Sequence, residues 1–139
     1  MTSKIIYKSD LRTESTHLAS NTIIETDAPV DNNGKGEKFS PTDLVATALG
    51  NCMLTIMGIA SNTHNINIVG TEVDINKIMK SDPRRIGQIE VDMNIKGQEN
   101  YTDKEKSILK HAALTCPVYL SLHPNLEKLV SFSFNGIKE

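Results

Sequence analysis

Apolar and polar residues alternate in short stretches up to Phe39, run together from Ser40 to Asn65, and alternate again afterwards. The first stretches, Lys4 to Lys8, Arg12 to Leu18 and Asn21 to Thr26, have strand character. Breaks at Ser9-Asp10 and Ala19-Ser20 make them an antiparallel meander. Asp27 to Lys38 is rich in Asp, Asn, Gly and Lys and contains Pro29, which is loop chemistry and long enough to form a wall or lid.

The central run reads as one helix with Cys52 at its middle. Ser40 can cap the first amides, Pro41 suits the first helical position, and Asp43 can answer back to the cap. Leu44, Val45, Ala48, Leu49, Cys52, Met53, Ile56, Met57, Ile59 and Ala60 cover well over half the circumference, so the pattern predicts a helix surrounded by protein. Gly50 and Gly58 weaken a helix interior by about 1 kcal/mol each relative to Ala, which predicts a backbone passing close on that side. The run is read as too short to span a membrane and is interrupted by Thr47, Asn51, Thr55 and Ser61, so a membrane span is not expected.

Beyond the helix, Asn67 to Met79 alternates as a half-buried strand, Ser81 to Arg84 forms a turn, and Ile89, Val91, Met93 and Ile95 alternate in the returning strand. Thr102 with Glu105 is a capping box for a helix whose apolar face is Ile108, Leu109, Ala112 and Ala113, ending near Thr115 ahead of Pro117. Pro117 begins a short helix through Leu122, and Val130, Phe132 and Phe134 alternate in a last strand. Strands, long helix, hairpin, helix pair and strand make an α+β fold with antiparallel sheet.

Length and charge narrow the function classes. A chain of 139 residues with 38% hydrophobic content can bury one core, so a single domain over residues 1–139 is expected. A net charge of −2 and 4% aromatic residues offer neither a basic stripe nor stacking platforms, which argues against nucleic acid as a partner. Met1 to Asp10 has no apolar signal core, so the cytoplasm is the expected compartment, where a persistent structural disulfide would be reduced.

Cys52 and Cys116 then admit three readings. Both can be small buried hydrophobes. A metal site is the weakest reading, because His17, His64, His111 and His123 are scattered without zinc-like spacing. A redox pair is the third: Cys52 would need a cation brought from elsewhere in the fold, whereas Cys116, at the cap position before Pro117, would have helix amides favouring its thiolate.

The run GEKFSPTDLVATALGNCMLTIMGIAS, the upstream ETDAP and the later HAALTCPVYLSL resemble the OsmC/Ohr family of osmotically induced and organic hydroperoxide resistance proteins. That resemblance implies an intertwined homodimer with antiparallel sheets around a long buried central helix. It also implies a thiol-dependent peroxidase acting on organic hydroperoxides and needing no bound cofactor and no metal. In that scheme Cys52 becomes the sulfenic acid, Cys116 resolves it to a disulfide, and an external dithiol restores both. Arg12, the only arginine of the N-terminal meander, matches the family arginine that holds the thiolate. The family's partner for that arginine, a glutamate after the helix-opening proline, is replaced here by Thr42, with Asp43 one step on and turned by about 100°. A non-catalytic member that binds a small apolar ligand or senses oxidation is the alternative.

Overall fold

The computed structural model describes residues 1–139, which form two compact units, Met1–Val45 and Ala46–Glu139. In the first unit β1 (Ser3–Ser9), β2 (Arg12–His17) and β3 (Ile23–Asp27) make an antiparallel sheet in that order, as the alternation predicts. The side chains this unit fully buries are polar: Thr26, Asp27 and Ser40. Ile5, Ile6, Tyr7, Ile23 and Ile24 of its sheet stay exposed.

The loop after β3 folds back tightly on itself. A single 3-10 turn at Val30–Asn32 is followed by Asn33 in the left-handed region, and Gly34 N–H and Gly36 N–H donate to the carbonyls of Pro29 and Ala28. A Cβ on Gly34 would collide with the Ala28 carbonyl oxygen, so the doubling back admits only glycine there.

Helix α1 (Pro41–His64) starts where Ser40 and Asp43 cap reciprocally: the Asp43 N–H donates to Ser40 Oγ at 3.0 Å and the Ser40 N–H to Asp43 Oδ2 at 2.9 Å. In the second unit β4 (Glu72–Lys80), β5 (Arg85–Ile95), β6 (Glu127–Phe134) and β7 (Ile137–Lys138) form one sheet in chain order, with α2 (Asp103–Leu114) and α3 (Pro117–Ser121) between β5 and β6. The core joins Leu49, Met53 and Met57 of α1 to Ile89, Val91, Met93 and Ile95 of β5 and to Leu109, Ala112 and Ala113 of α2. Thr102 and Glu105 form the expected capping box.

Several expectations need correction. The β5–β6 pair is parallel, so the sheet is mixed: the helices α2 and α3 supply the crossover that a parallel pair requires. β4 begins at Glu72 rather than Asn67, because the Thr71 N–H turns back to the Ile68 carbonyl and Gly70 adopts a positive φ of 87°; Val69 is left exposed. α1 is not covered all round within one protomer, since Ala48, Thr55 and Ile59 face solvent. Length also fails to exclude a membrane span, because 24 residues reach about 36 Å and the helix is apolar enough. Leu49, Met53 and Met57 on one side of it are packed in protein at 0% exposure, whereas Ala48, Thr55 and Ile59 are exposed.

The two glycines of α1 differ. A Cβ on Gly50 would meet Ile75 Cδ1 at 2.9 Å and Val73 Cγ1 at 3.5 Å, so side chains of β4 rather than a backbone press on it. Gly58 has nothing within 4 Å, contrary to the expected close neighbour.

Candidate active site

Cys52 and Cys116 come together in the second unit. Cys52 sits mid-way along α1, half-buried, with its side chain against the core cluster; Cys116 is fully buried. Both are free thiols packed against one core cluster, near enough for the Cys52 sulfur to raise the Cys116 thiol. The meeting depends on Pro117, which ends the helical path of α2 and leaves Cys116 in extended backbone (φ −68°, ψ 147°) as the cap of α3. In that position Cys116 Sγ accepts the Tyr119 N–H at 3.3 Å.

The cap was expected to favour a Cys116 thiolate, and the balance runs the other way. Burial pushes the Cys116 thiol up, the Tyr119 N–H pulls it down by less, and the Cys52 sulfur raises it further. Desolvation of a charge outweighs one sulfur-accepted hydrogen bond. The two thiols thus differ in burial, with Cys116 inside the core and Cys52 half-buried.

Of the apolar neighbours of Cys52 on α1, Leu49 and Met53 are spent in the core, whereas Ile56 is half-buried. Ala48, Thr55 and Ile59, all exposed, recur with Cys52 at spacings of three and four along one side of the helix. Cys52 thus lies on a stripe of small and apolar side chains that the protomer leaves uncovered.

Arg12 lies in the first unit, at the start of β2 opposite Asp27 of β3. Its Nε donates to Asp27 Oδ1 at 2.7 Å and its Nη2 to Asp27 Oδ2 at 2.8 Å and to Glu37 Oε2 at 2.8 Å. The guanidinium accordingly holds the Asp27 carboxyl below the usual carboxylate range, and both acids push the arginine above its own. Asp27 and Glu37 escaped sequence reasoning, which assigned both to loop chemistry. The signal available was strand register, since Arg12 and Asp27 stand opposite each other across the β2–β3 turn. Asp43 caps α1, and Thr42 Oγ1 lies 3.1 Å from Ser40 Oγ.

Residues 34–128, which include both cysteines and the whole of α1, match the family model for OsmC-like proteins. The chain belongs to the OsmC family. This OsmC-family protein is 47% identical to a Psychrobacter arcticus protein of known structure, assigned as an osmotic stress induced and detoxification response protein, with 96% of each chain covered and a TM-score of 0.90. It is similar in fold to an organic hydroperoxide resistance protein OsmC from Legionella pneumophila (14% identity, 96% and 97% covered, TM-score 0.74). An OsmC-like protein from Mycoplasma pneumoniae is likewise similar (15% identity, 95% and 94% covered, TM-score 0.78). Among curated proteins, no sequence matches the chain.

Proposed function

We propose that this OsmC-family protein is a thiol-dependent peroxidase that reduces organic hydroperoxides. The observation that carries the reading is the pair of free thiols brought together on one core cluster, Cys52 half-buried and Cys116 buried. The Cys52 thiolate attacks the distal oxygen of the hydroperoxide, the O–O bond breaks, and the alkoxide takes a proton and leaves as the alcohol. Cys52 is then a sulfenic acid. The Cys116 sulfur attacks it, the S–S bond forms, and hydroxide departs with the Cys116 proton as water. An external dithiol returns two electrons and two protons. Arg12 supplies a fixed positive charge for the thiolate and the reacting oxygens.

Assembly belongs to the same proposal. A three-stranded sheet that buries no apolar side chain is a poor independent fold, and α1 leaves the stripe around Cys52 uncovered. A homodimer in which a second copy covers both surfaces would satisfy them and set the sites near its interface.

The test is stopped-flow oxidation with cumene hydroperoxide and with hydrogen peroxide, followed by mass spectrometry of the linkage. The expected result is a Cys52–Cys116 disulfide forming at least tenfold faster with the organic peroxide, which needs about 1.4 kcal/mol, or roughly 55 Å2 of buried apolar surface. Ile56 is the residue placed to supply part of it. Cys116→Ser should consume one equivalent and stop at a trappable sulfenic acid, and Cys52→Ser should consume none. Loss of reaction in both variants with no sulfenate would instead favour a non-catalytic binder of apolar ligands.

A further inference from the structure

Thr42 stands where the resemblance predicts the glutamate that partners the catalytic arginine, and Asp43, one step on, caps α1. Arg12 is nevertheless held by carboxylates, from a different part of the chain. Asp27 is fully buried and sits opposite Arg12 across the β2–β3 pair. Its backbone is fixed by donation to the Phe39 carbonyl at 3.2 Å, and its carboxylate collects three donors: Arg12 Nε, Arg12 Nη2 and, at 3.2 Å, the Glu37 N–H. The two-point fork with the guanidinium fixes direction as well as charge.

Glu37 adds the outer contact. Its side chain is 62% exposed and reaches Arg12 Nη2, and it is delivered there by the loop that doubles back at Gly34 over the Ala28 carbonyl. Nε and Nη2 are therefore spent on Asp27 and Glu37. The remaining nitrogen, Nη1, is the end of the fork left to meet an anion or a peroxide oxygen.

We propose that Asp27 is the positioning residue for Arg12 in this protein, with Glu37 as its outer clasp, the two acids replacing the glutamate that Thr42 displaces. This assignment rests on the reading of Arg12 as the cation that serves the Cys52 thiolate. A buried carboxylate on a strand holds the guanidinium in one direction. Asp27 touches no reacting atom, so its effect on the reaction runs through Arg12.

That requirement sets the experiment. Oxidation of Cys52 by cumene hydroperoxide is measured in the full chain for Asp27→Asn, Glu37→Gln and Arg12→Ala, and for the first two combined with Arg12→Ala. The pH profile of Cys52 alkylation by iodoacetamide is recorded for each, in a Cys116→Ser background so that only Cys52 reacts. Asp27→Asn is expected to slow oxidation at least tenfold and Glu37→Gln a few-fold when Arg12 is present, and neither to slow it further when Arg12 is alanine. The alkylation profile of Asp27→Asn should move to higher pH, as in Arg12→Ala, because a guanidinium that has lost its anchor no longer keeps the direction its proposed role requires. Simple removal of a negative charge would move it to lower pH, and that direction overturns the proposal, as does equal slowing in both backgrounds. If Asp27→Asn fails to fold, the exposed Glu37→Gln still decides, and its lack of effect overturns the proposal. Slow Arg12→Ala with fast Asp27→Asn removes the positioning role alone. Undiminished Arg12→Ala removes the role of Arg12 and the positioning role with it.

Discussion

Alanine should stabilise the protein at Gly58 but not at Gly50, although both positions lie inside α1. The helix term is common to both, since replacing an interior glycine by alanine gains about 1 kcal/mol. At Gly58 a Cβ meets nothing within 4 Å, so the gain stands alone. At Gly50 the new methyl would lie 2.9 Å from Ile75 Cδ1 and 3.3 Å from Ile75 Cγ1, in a site backed by Val73. Displacing that packed isoleucine costs about 1–3 kcal/mol, so Gly50→Ala should be neutral to about 2 kcal/mol less stable. An unfolding entropy near 2.1 cal/mol/K per residue gives about 0.3 kcal/mol/K for 139 residues. Gly58→Ala should then raise Tm by about 3 °C and Gly50→Ala leave it unchanged or lower it by up to about 7 °C. Thermal and urea unfolding of the reduced protein, repeated over a hundredfold range of concentration, measures both. Equal stabilisation by the two alanines would refute the packing assigned to β4 against Gly50. Destabilisation by Gly58→Ala at every concentration would refute the open space beside Gly58, and destabilisation that disappears at high concentration would place a second copy next to it.

Two pH dependences follow from the shifted groups. Because the folded-state value of Cys116 is raised, the native state keeps that proton longer than the unfolded chain: the stabilisation is full below the ordinary thiol range near pH 8.5 and is lost as pH rises through the folded-state value. Urea unfolding under reductant from pH 7 to 10 should show this decline, and Cys116→Ala should flatten it; an unchanged slope in the variant refutes the assignment. Asp27 has the opposite sign, since its folded-state value is depressed by Arg12: its contribution is present above the ordinary carboxylate range near pH 4 and fades as pH falls through the folded-state value. Asp27→Asn should lose that part of the acid dependence between pH 6 and 2, and an acid profile identical to that of the parent chain would contradict it.

What the sequence determined by itself is what short-range chemistry controls. Ser40 with Asp43 and Thr102 with Glu105 mark helix starts because a side chain and an amide three residues apart can bond only when the backbone turns helical. Pro117 stops α2 and starts α3 through its own ring geometry. The alternation in β5 announces which side is buried, since Ile89, Val91, Met93 and Ile95 can share a face only in extended chain. Family membership was legible for the same reason: the helix around Cys52 and the segment at Cys116 each carry their pattern locally.

Tertiary structure decided the rest. The parallel β5–β6 pairing depends on where α2 and α3 return the chain, which no alternation encodes. Cys52 and Cys116 meet because a helix and a post-helical cap pack on one core, and burial there pushes the Cys116 thiol up. The partner of Arg12 was the least legible feature, because Asp27 looks like any other loop acid until strand register sets it opposite the arginine. Once there, the fold removes its carboxylate from water and leaves the guanidinium and the Glu37 amide to satisfy it. A charge is read from one letter of sequence, but its direction and its hydration are properties of everything packed around it.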